Sequence, residues 1–241
     1  MKRYLLCIGM LCCLICRGQL ITESQNSFFL NVYDISVRTI VFKNNYDIKG
    51  TPMFNKDWGK GAVKFFNGRL LRDVSLQFDA FSNELYFKVD SIVFAFVNPV
   101  KEFVLEYEEK GKMLSALFRN GYPGNKTAAA AVFYEVLQEG TRFQLLKHNS
   151  KIIKDSYEYS APLGKVYWPV YELYIFDTET STLKSLSNKG SLAELMPEYA
   201  ETLAQLTGSK HYKFRSEKEL ADILLKLDHS LPGKSIEKKT Q

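Results

Sequence analysis

Four cysteines, Cys7, Cys12, Cys13 and Cys16, fall within ten residues of the opening stretch MKRYLLCIGMLCCLICRGQ. Such a cluster can be a metal site, a disulfide framework, a lipid anchor or part of an export signal. No histidine or carboxylate stands nearby to complete a tetrahedral metal shell. Lys2 and Arg3 precede an apolar run from Tyr4 to Ile15 broken only by Gly9, and small residues, Cys16 and Gly18, sit three and one before Gln19. This is the pattern of a secretory signal peptide. The run is also too short for a spanning helix, which needs about 20 residues. Cleavage after Gly18 removes every cysteine, so the mature chain is expected to be without disulfides and without a cysteine nucleophile. The alternative is a lipoprotein anchored at Cys16. A lipoprotein signal favours a small residue before that cysteine, and Ile15 stands there.

The other residues able to do chemistry are not arranged for it. The three histidines, His148, His211 and His229, include no pair at i, i+4, and neither H-E-x-x-H nor G-x-S-x-G occurs. GYPGNKT (121–127) resembles a phosphate loop, but Asn120 and Asn125 occupy both glycine positions of GxxxxGK[ST], so it reads as a turn. Asn125-Lys126-Thr127 matches a glycosylation sequon, a tripeptide that is frequent by chance. Asp73, Asp79, Glu84, Asp90, Glu102 and Glu106 fall mostly on the polar phase of strands and read as surface charges. No catalytic, cofactor-binding or metal-ligating residue is therefore assigned, and no cofactor is expected. Aromatic residues are the compositional oddity, with 17 Phe and 14 Tyr. They are dense in YEYSAPLGKVYWPVYELY, where Tyr157, Tyr159, Tyr167, Trp168, Tyr171 and Tyr174 make a candidate binding face. Strand propensity alone accounts for many of them.

These residues must be positioned by strands. From about residue 31 to 120 the hydrophobic period is two; in VSLQFDA, Val74, Leu76, Phe78 and Ala80 alternate with polar residues. Asn67-Gly68, between AVKFF and RLLRDVSLQF, predicts a hairpin with a type I′ turn. ELYFKV, IVFAFV, EFVLEYE and MLSALF follow at short spacing, as in a meander. VFYEVL and RFQLLKH read as a second hairpin about Gln138-Glu139-Gly140, with His148 beside a turn at HNSK. YWPVYELYIFD is β-like, and Pro169 suggests an edge or a strand start. After residue 190 the period becomes helical. Ser191/Glu194 and Ser216/Glu219 are capping boxes, Pro197 forces a kink or restart, and Leu220, Ile223, Leu224 and Leu227 form one apolar face.

Charge indicates no polyanionic partner. Cleavage removes Lys2, Arg3 and Arg17 from 32 basic residues, leaving 29 against 27 acidic. The tail PGKSIEKKTQ holds three lysines and one glutamate, so residues 19–231 balance at 26 against 26. No basic footprint for nucleic acid exists.

The order GTPMFNKDWGKGAVKFFNGRLLRDVSLQFDAFSNELYFK, FRNGYP, VFYEVLQEGTRFQLLKH, a Tyr-rich strand and a helix pair resembles a family of uncharacterised secreted and envelope proteins from Bacteroidetes-type bacteria. The resemblance spans roughly residues 45–227. It implies Gram-negative export and a strand at VFYEVL, and it supplies no activity or catalytic residue to carry over.

The expectation is an α+β chain: an antiparallel β-meander forming a sandwich or partly open barrel, with C-terminal amphipathic helices. Residues 1–18 are the signal peptide, 19–190 the β-rich body, 191–231 the helical segment packed on it and 232–241 a flexible basic tail. With no assembled chemistry, the expected function is that of an exported, non-enzymatic envelope protein, secreted or periplasmic and not membrane-spanning. It would bind an envelope protein, a glycan or an apolar ligand. The alternatives are a carrier holding an apolar ligand in an open β-barrel and a hydrolase using a carboxylate pair.

Overall fold

The computed structural model describes residues 35–42, 47–123, 132–158, 161–186, 192–209 and 212–231. The signal segment with its four cysteines, the GNKT part of the loop-like motif, Tyr159, Ser191, His211 and the basic tail lie outside the described residues. The first strands are β1 (Val37–Ile40), β2 (Ile48–Lys49), β3 (Gly59–Phe65), β4 (Leu70–Asp79), β5 (Glu84–Val89) and β6 (Ile92–Phe96). Then follow β7 (Val100–Glu109), β8 (Lys112–Arg119), β9 (Tyr134–Glu139), β10 (Phe143–Glu158), β11 (Ala161–Asp177) and β12 (Thr182–Leu186). The helices α1 (Leu192–Leu195), α2 (Ala200–Thr207) and α3 (Glu217–Ser230) close the order, with a 3-10 turn at Pro197–Tyr199 where the proline restarts the helix. The α+β expectation holds: one large, mainly antiparallel open sheet carries the C-terminal helices. Among the described residues no helix is long and apolar enough to cross a membrane.

The strand order is β1-β6-β5-β4-β3-β7-β8-β9-β10-β11-β12, with β2 alongside β11. Two meanders thus run outward from β3. Only Val97, Asn98 and Pro99 join β6 to β7, although β5, β4 and β3 lie between them. In a flat sheet, at about 4.8 Å per strand, the two would be about 19 Å apart. Four peptide steps reach at most about 14 Å. The sheet must therefore curl, and the rings of Phe65 on β3 and Phe96 on β6 meet at 5.6 Å across its concave face. Phe78, Phe87, Phe103, Phe118 and Phe133 fill that concavity. The excess of phenylalanine is largely this core.

Where β9 to β12 continue the sheet, the helices cover the same face. Phe143, Leu145, Leu173 and Ile175 pack against Leu192, Met196, Leu203, Leu220, Ile223, Leu224 and Leu227. The apolar stripe of α3 is thus docked on the β body. Its N-terminus is capped as expected, with the Ser216 hydroxyl accepting the Glu219 N–H at 3.2 Å. The Glu219 carboxylate reaches back to the Arg215 N–H at 2.6 Å.

Three local expectations need correction. The Asn67-Gly68 hairpin forms, but only Gly68 has positive φ (+82°), so the turn is not type I′. The Phe65 carbonyl accepts the Gly68 N–H at 3.0 Å and the Phe65 N–H meets the Arg69 carbonyl at 2.9 Å, giving a three-residue loop that ends in a left-handed glycine. The Asn67 side chain accepts the Arg69 N–H at 3.1 Å, which holds the asparagine in this role. A two-residue turn with positive φ at both central positions lies instead at Lys110-Gly111, between β7 and β8. Second, HNSK is not a turn: Asn149 pairs with Tyr171 inside the long β10–β11 hairpin. Third, the carboxylates are not all surface charges, because Asp79 and Glu102 are buried. Asp79 accepts the N–H groups of Phe81 and Ser82 in the β4–β5 turn. Pro169 lies in mid-strand, where β11 has a ladder partner on one side only.

Gly68 offers a clean test, because no atom lies within 4 Å of where a Cβ would stand. Gly68→Ala should lower stability by about 1–2 kcal/mol through backbone strain alone. Urea denaturation reads this directly, and an unchanged midpoint would contradict a left-handed Gly68.

Candidate functional site

Register explains how polar groups reach the concave face. Phe103, Phe118, Glu135, Lys147 and Leu173 are successive cross-strand neighbours, so their side chains share one side of the sheet. Along β9, Phe133 belongs to the first core and Leu137 packs against the second, with Glu135 between them on the same phase. Along β10, Phe143 and Leu145 lie in the second core, and Lys147 and Asn149 continue the same phase beyond it. The sheet thus carries a polar strip exactly where neither core covers it.

That strip floors a cavity of about 1100 Å³. Phe54 and Tyr107, whose rings meet edge to face at 5.3 Å, form one wall. The Lys110-Gly111 turn and the exposed Met113 form the rim, and the segment 55–60 borders the opposite end.

Within the floor, the Asn149 side-chain amide donates to the Glu135 carboxylate at 2.7 Å. Lys147 bonds Glu217, the first residue of α3, at 2.9 Å, and its ammonium lies 4.5 Å from the Tyr171 ring centre. Burial pushes the Glu135 carboxyl above its ordinary value; the Asn149 hydrogen bond and the Lys147 charge oppose this in part, and Glu217 adds to it. Burial, with the charges of Glu135 and Glu109, pushes the Tyr107 phenol up to about 12. A desolvated carboxyl, an amide and a phenol facing one cavity make a hydrogen-bonding site with its donors and acceptors fixed in advance. Four lysines and five carboxylates line the whole cavity, so it carries almost no net charge. Among the described residues no cluster of histidines, cysteines or carboxylates is arranged to hold a metal ion.

The aromatic residues singled out in the sequence are not brought onto one face. Tyr167 and Tyr171 share the phase of Leu173, while Trp168 and Tyr174 share the opposite phase. Tyr171 stands beside the groove, paired with Asn149 and under Lys147. Tyr167 meets Phe81 at 5.5 Å. Trp168 is exposed beneath Lys154, and Tyr157 is exposed beyond a bulge. Tyr174 belongs to a cluster with Tyr122, Tyr134 and Leu146 on the other side of the sheet, next to His148. Burial holds the His148 imidazole below its ordinary value, against the opposing charge of Glu172.

Sequence reading missed Glu135, Lys147 and Asn149. The available signal was a polar residue on an apolar phase: Glu135 between Phe133 and Leu137, and Lys147 and Asn149 after Phe143 and Leu145.

The sign of the Glu135 shift gives a second prediction. A carboxyl whose pKa is raised on folding favours the folded state at low pH and loses that contribution as pH rises through its folded value. Relative to Glu135→Gln, the wild-type chain should therefore lose thermal stability as pH climbs above about 4, the ordinary carboxylate value. A difference that instead grows with pH would mean that Lys147 and Asn149 outweigh burial.

Comparison of the chain with family models, with curated proteins and with solved structures finds no match.

Proposed function

We propose that the mature chain is an exported, non-enzymatic binding module of the cell envelope, secreted or periplasmic after cleavage near Gly18, whose ligand is held in the groove between the two cores. The signal-like N-terminus and the resemblance to secreted proteins of Bacteroidetes-type bacteria support export. The observation that carries binding is the inward-facing Glu135–Asn149 pair, desolvated at the floor of a cavity of about 1100 Å³. Burying polar groups without partners is costly, and a ligand that completes their hydrogen bonds recovers that cost.

A photo-reactive amino acid at Met113, which is 69% exposed on the rim, should form an adduct in the native envelope. The same group at Leu225 on α3, also exposed, should form none. Adducts at Leu225 with none at Met113 would place the contact elsewhere and defeat this reading.

A second cavity supports the carrier alternative. A half-open hollow of about 370 Å³ lies at the edge of the sheet, lined by Ile35, Val37, Phe87, Val89, Ile92 and Phe94 with Asp90 beside them. It is apolar and within the range of small-ligand pockets, about 300–1,000 Å³. A carrier purified from its host would hold lipid in native mass spectrometry and lose it in Ile92→Trp. The groove reading expects no lipid there.

A further inference from the structure

We propose that the groove takes a neutral oligosaccharide, an assignment that rests on the groove being a binding site. Size sets the first constraint. At about 1100 Å³ the groove exceeds the usual span of pockets for single small molecules, about 300–1,000 Å³. A segment of a polymer fits it better than a metabolite does.

Charge sets the second. Four lysines against five carboxylates create no field that would gather a polyanion or a polycation. The floor cation, Lys147, is already engaged by Glu217 and by the Tyr171 ring. An apolar ligand fits poorly, because it would seal Glu135 and Asn149 away from water with only their one mutual hydrogen bond and nothing for their remaining polar atoms. An extended peptide usually binds by adding to a free strand edge. In the floor Glu135 is flanked on both sides, by Phe118 of β8 and Lys147 of β10, so β9 offers no edge there.

A polyol meets every constraint. Each hydroxyl both donates and accepts, matching a carboxylate that accepts, an amide that does both and the Tyr107 phenol. The hydrogen-bonded Glu135–Asn149 pair presents acceptor and donor side by side, as adjacent ring hydroxyls require. The C–H face of a sugar ring is apolar, and the Phe54–Tyr107 wall gives it an aromatic surface.

The test is an array of neutral gluco-, manno-, xylo-, galacto- and N-acetylglucosamine oligosaccharides of increasing length, with polygalacturonate and oleate as controls, probed with the full mature protein. At least one neutral series should bind, more tightly as the chain lengthens. Asn149→Ala and Tyr107→Phe should each weaken it by about tenfold, the loss expected for one hydrogen bond to a partly desolvated group. Both variants should be checked for an unchanged thermal midpoint, and Asn149→Asp serves if Asn149→Ala is unstable. Binding of no neutral series, preference for polygalacturonate or oleate, or equal binding by folded variants would overturn the assignment. An adduct at Met113 that contains no sugar would leave the groove a binding site and remove only the carbohydrate. No adduct there would remove both.

Discussion

Arg119→Met should cost the protein about 3–5 kcal/mol, the range for breaking a buried ion pair by removing one partner. Arg119 on β8 lies opposite Glu102 on β7, and its Nε bonds that carboxylate at 2.7 Å. Its Nη1 bonds Glu139 at 2.7 Å. The Glu102 side chain is 7% exposed, with Lys64 at 3.5 Å as its other cation. Burial works against the guanidinium charge, but the Glu139 and Glu102 hydrogen bonds overcome it and hold the pKa above its already high value. Methionine keeps much of the volume and removes all the donors, so the buried Glu102 would be left with Lys64 as its one cation. The Gln144 amide, shared between Glu139 and the Tyr122 hydroxyl, would lose its fixed neighbour as well. Arg119→Lys should recover only part of the loss, because one ammonium cannot reproduce a fork spanning two carboxylates. Urea denaturation reads both variants. A loss below about 1 kcal/mol for methionine would mean the network behaves as surface ion pairs do.

Asp228→Ala should cost about 2–4 kcal/mol, from three backbone donors left without their charged acceptor. Asp228 lies near the end of α3, yet its buried carboxylate organises the β9–β10 turn. It accepts the N–H groups of Thr141 at 2.5 Å, Arg142 at 2.8 Å and Phe143 at 3.2 Å. Gly140 leaves room for it, since a Cβ there would stand 2.6 Å from the Asp228 Oδ2. A carboxylate at a helix C-terminus opposes the helix dipole, so three donors are the reason it is tolerated. Because the contact joins helix to sheet, hydrogen exchange at 141–143 should accelerate together with the loss of the midpoint. A normal midpoint with normal protection would show that water replaces the carboxylate without cost.

Much of this architecture is legible in the chain because alternation and turn residues act locally. VSLQFDA, ELYFKV and the apolar stripe of α3 declare strand, strand and docked helix, and each forms where its period places it. What local pattern could not convey is pairing. Asn149 and Ser150 have turn composition, but the ladder to Tyr171 and Val170 keeps them extended, and the Asn149 amide is taken by Glu135. Glu102 alternates like a surface residue and is buried only because Arg119 and Lys64 stand across from it. The turn at Asn67-Gly68 has the composition of type I′, yet the Asn67 side chain bonds Arg69 and a three-residue loop results. The groove was least legible, because it is made by two cores separated in sequence that leave one strip of a shared face uncovered. Glu135, Lys147 and Asn149, polar residues on an apolar phase, were its local traces.

The most direct test of a groove-centred binding module is hydrogen exchange of the mature protein with and without solubilised native envelope. Slowed exchange should fall on residues 54–60 and 106–111, on Met113, and on Glu135, Lys147 and Asn149, which line the cavity. Protection confined to α3, or to the strands around Ile92 and Phe94, would contradict it.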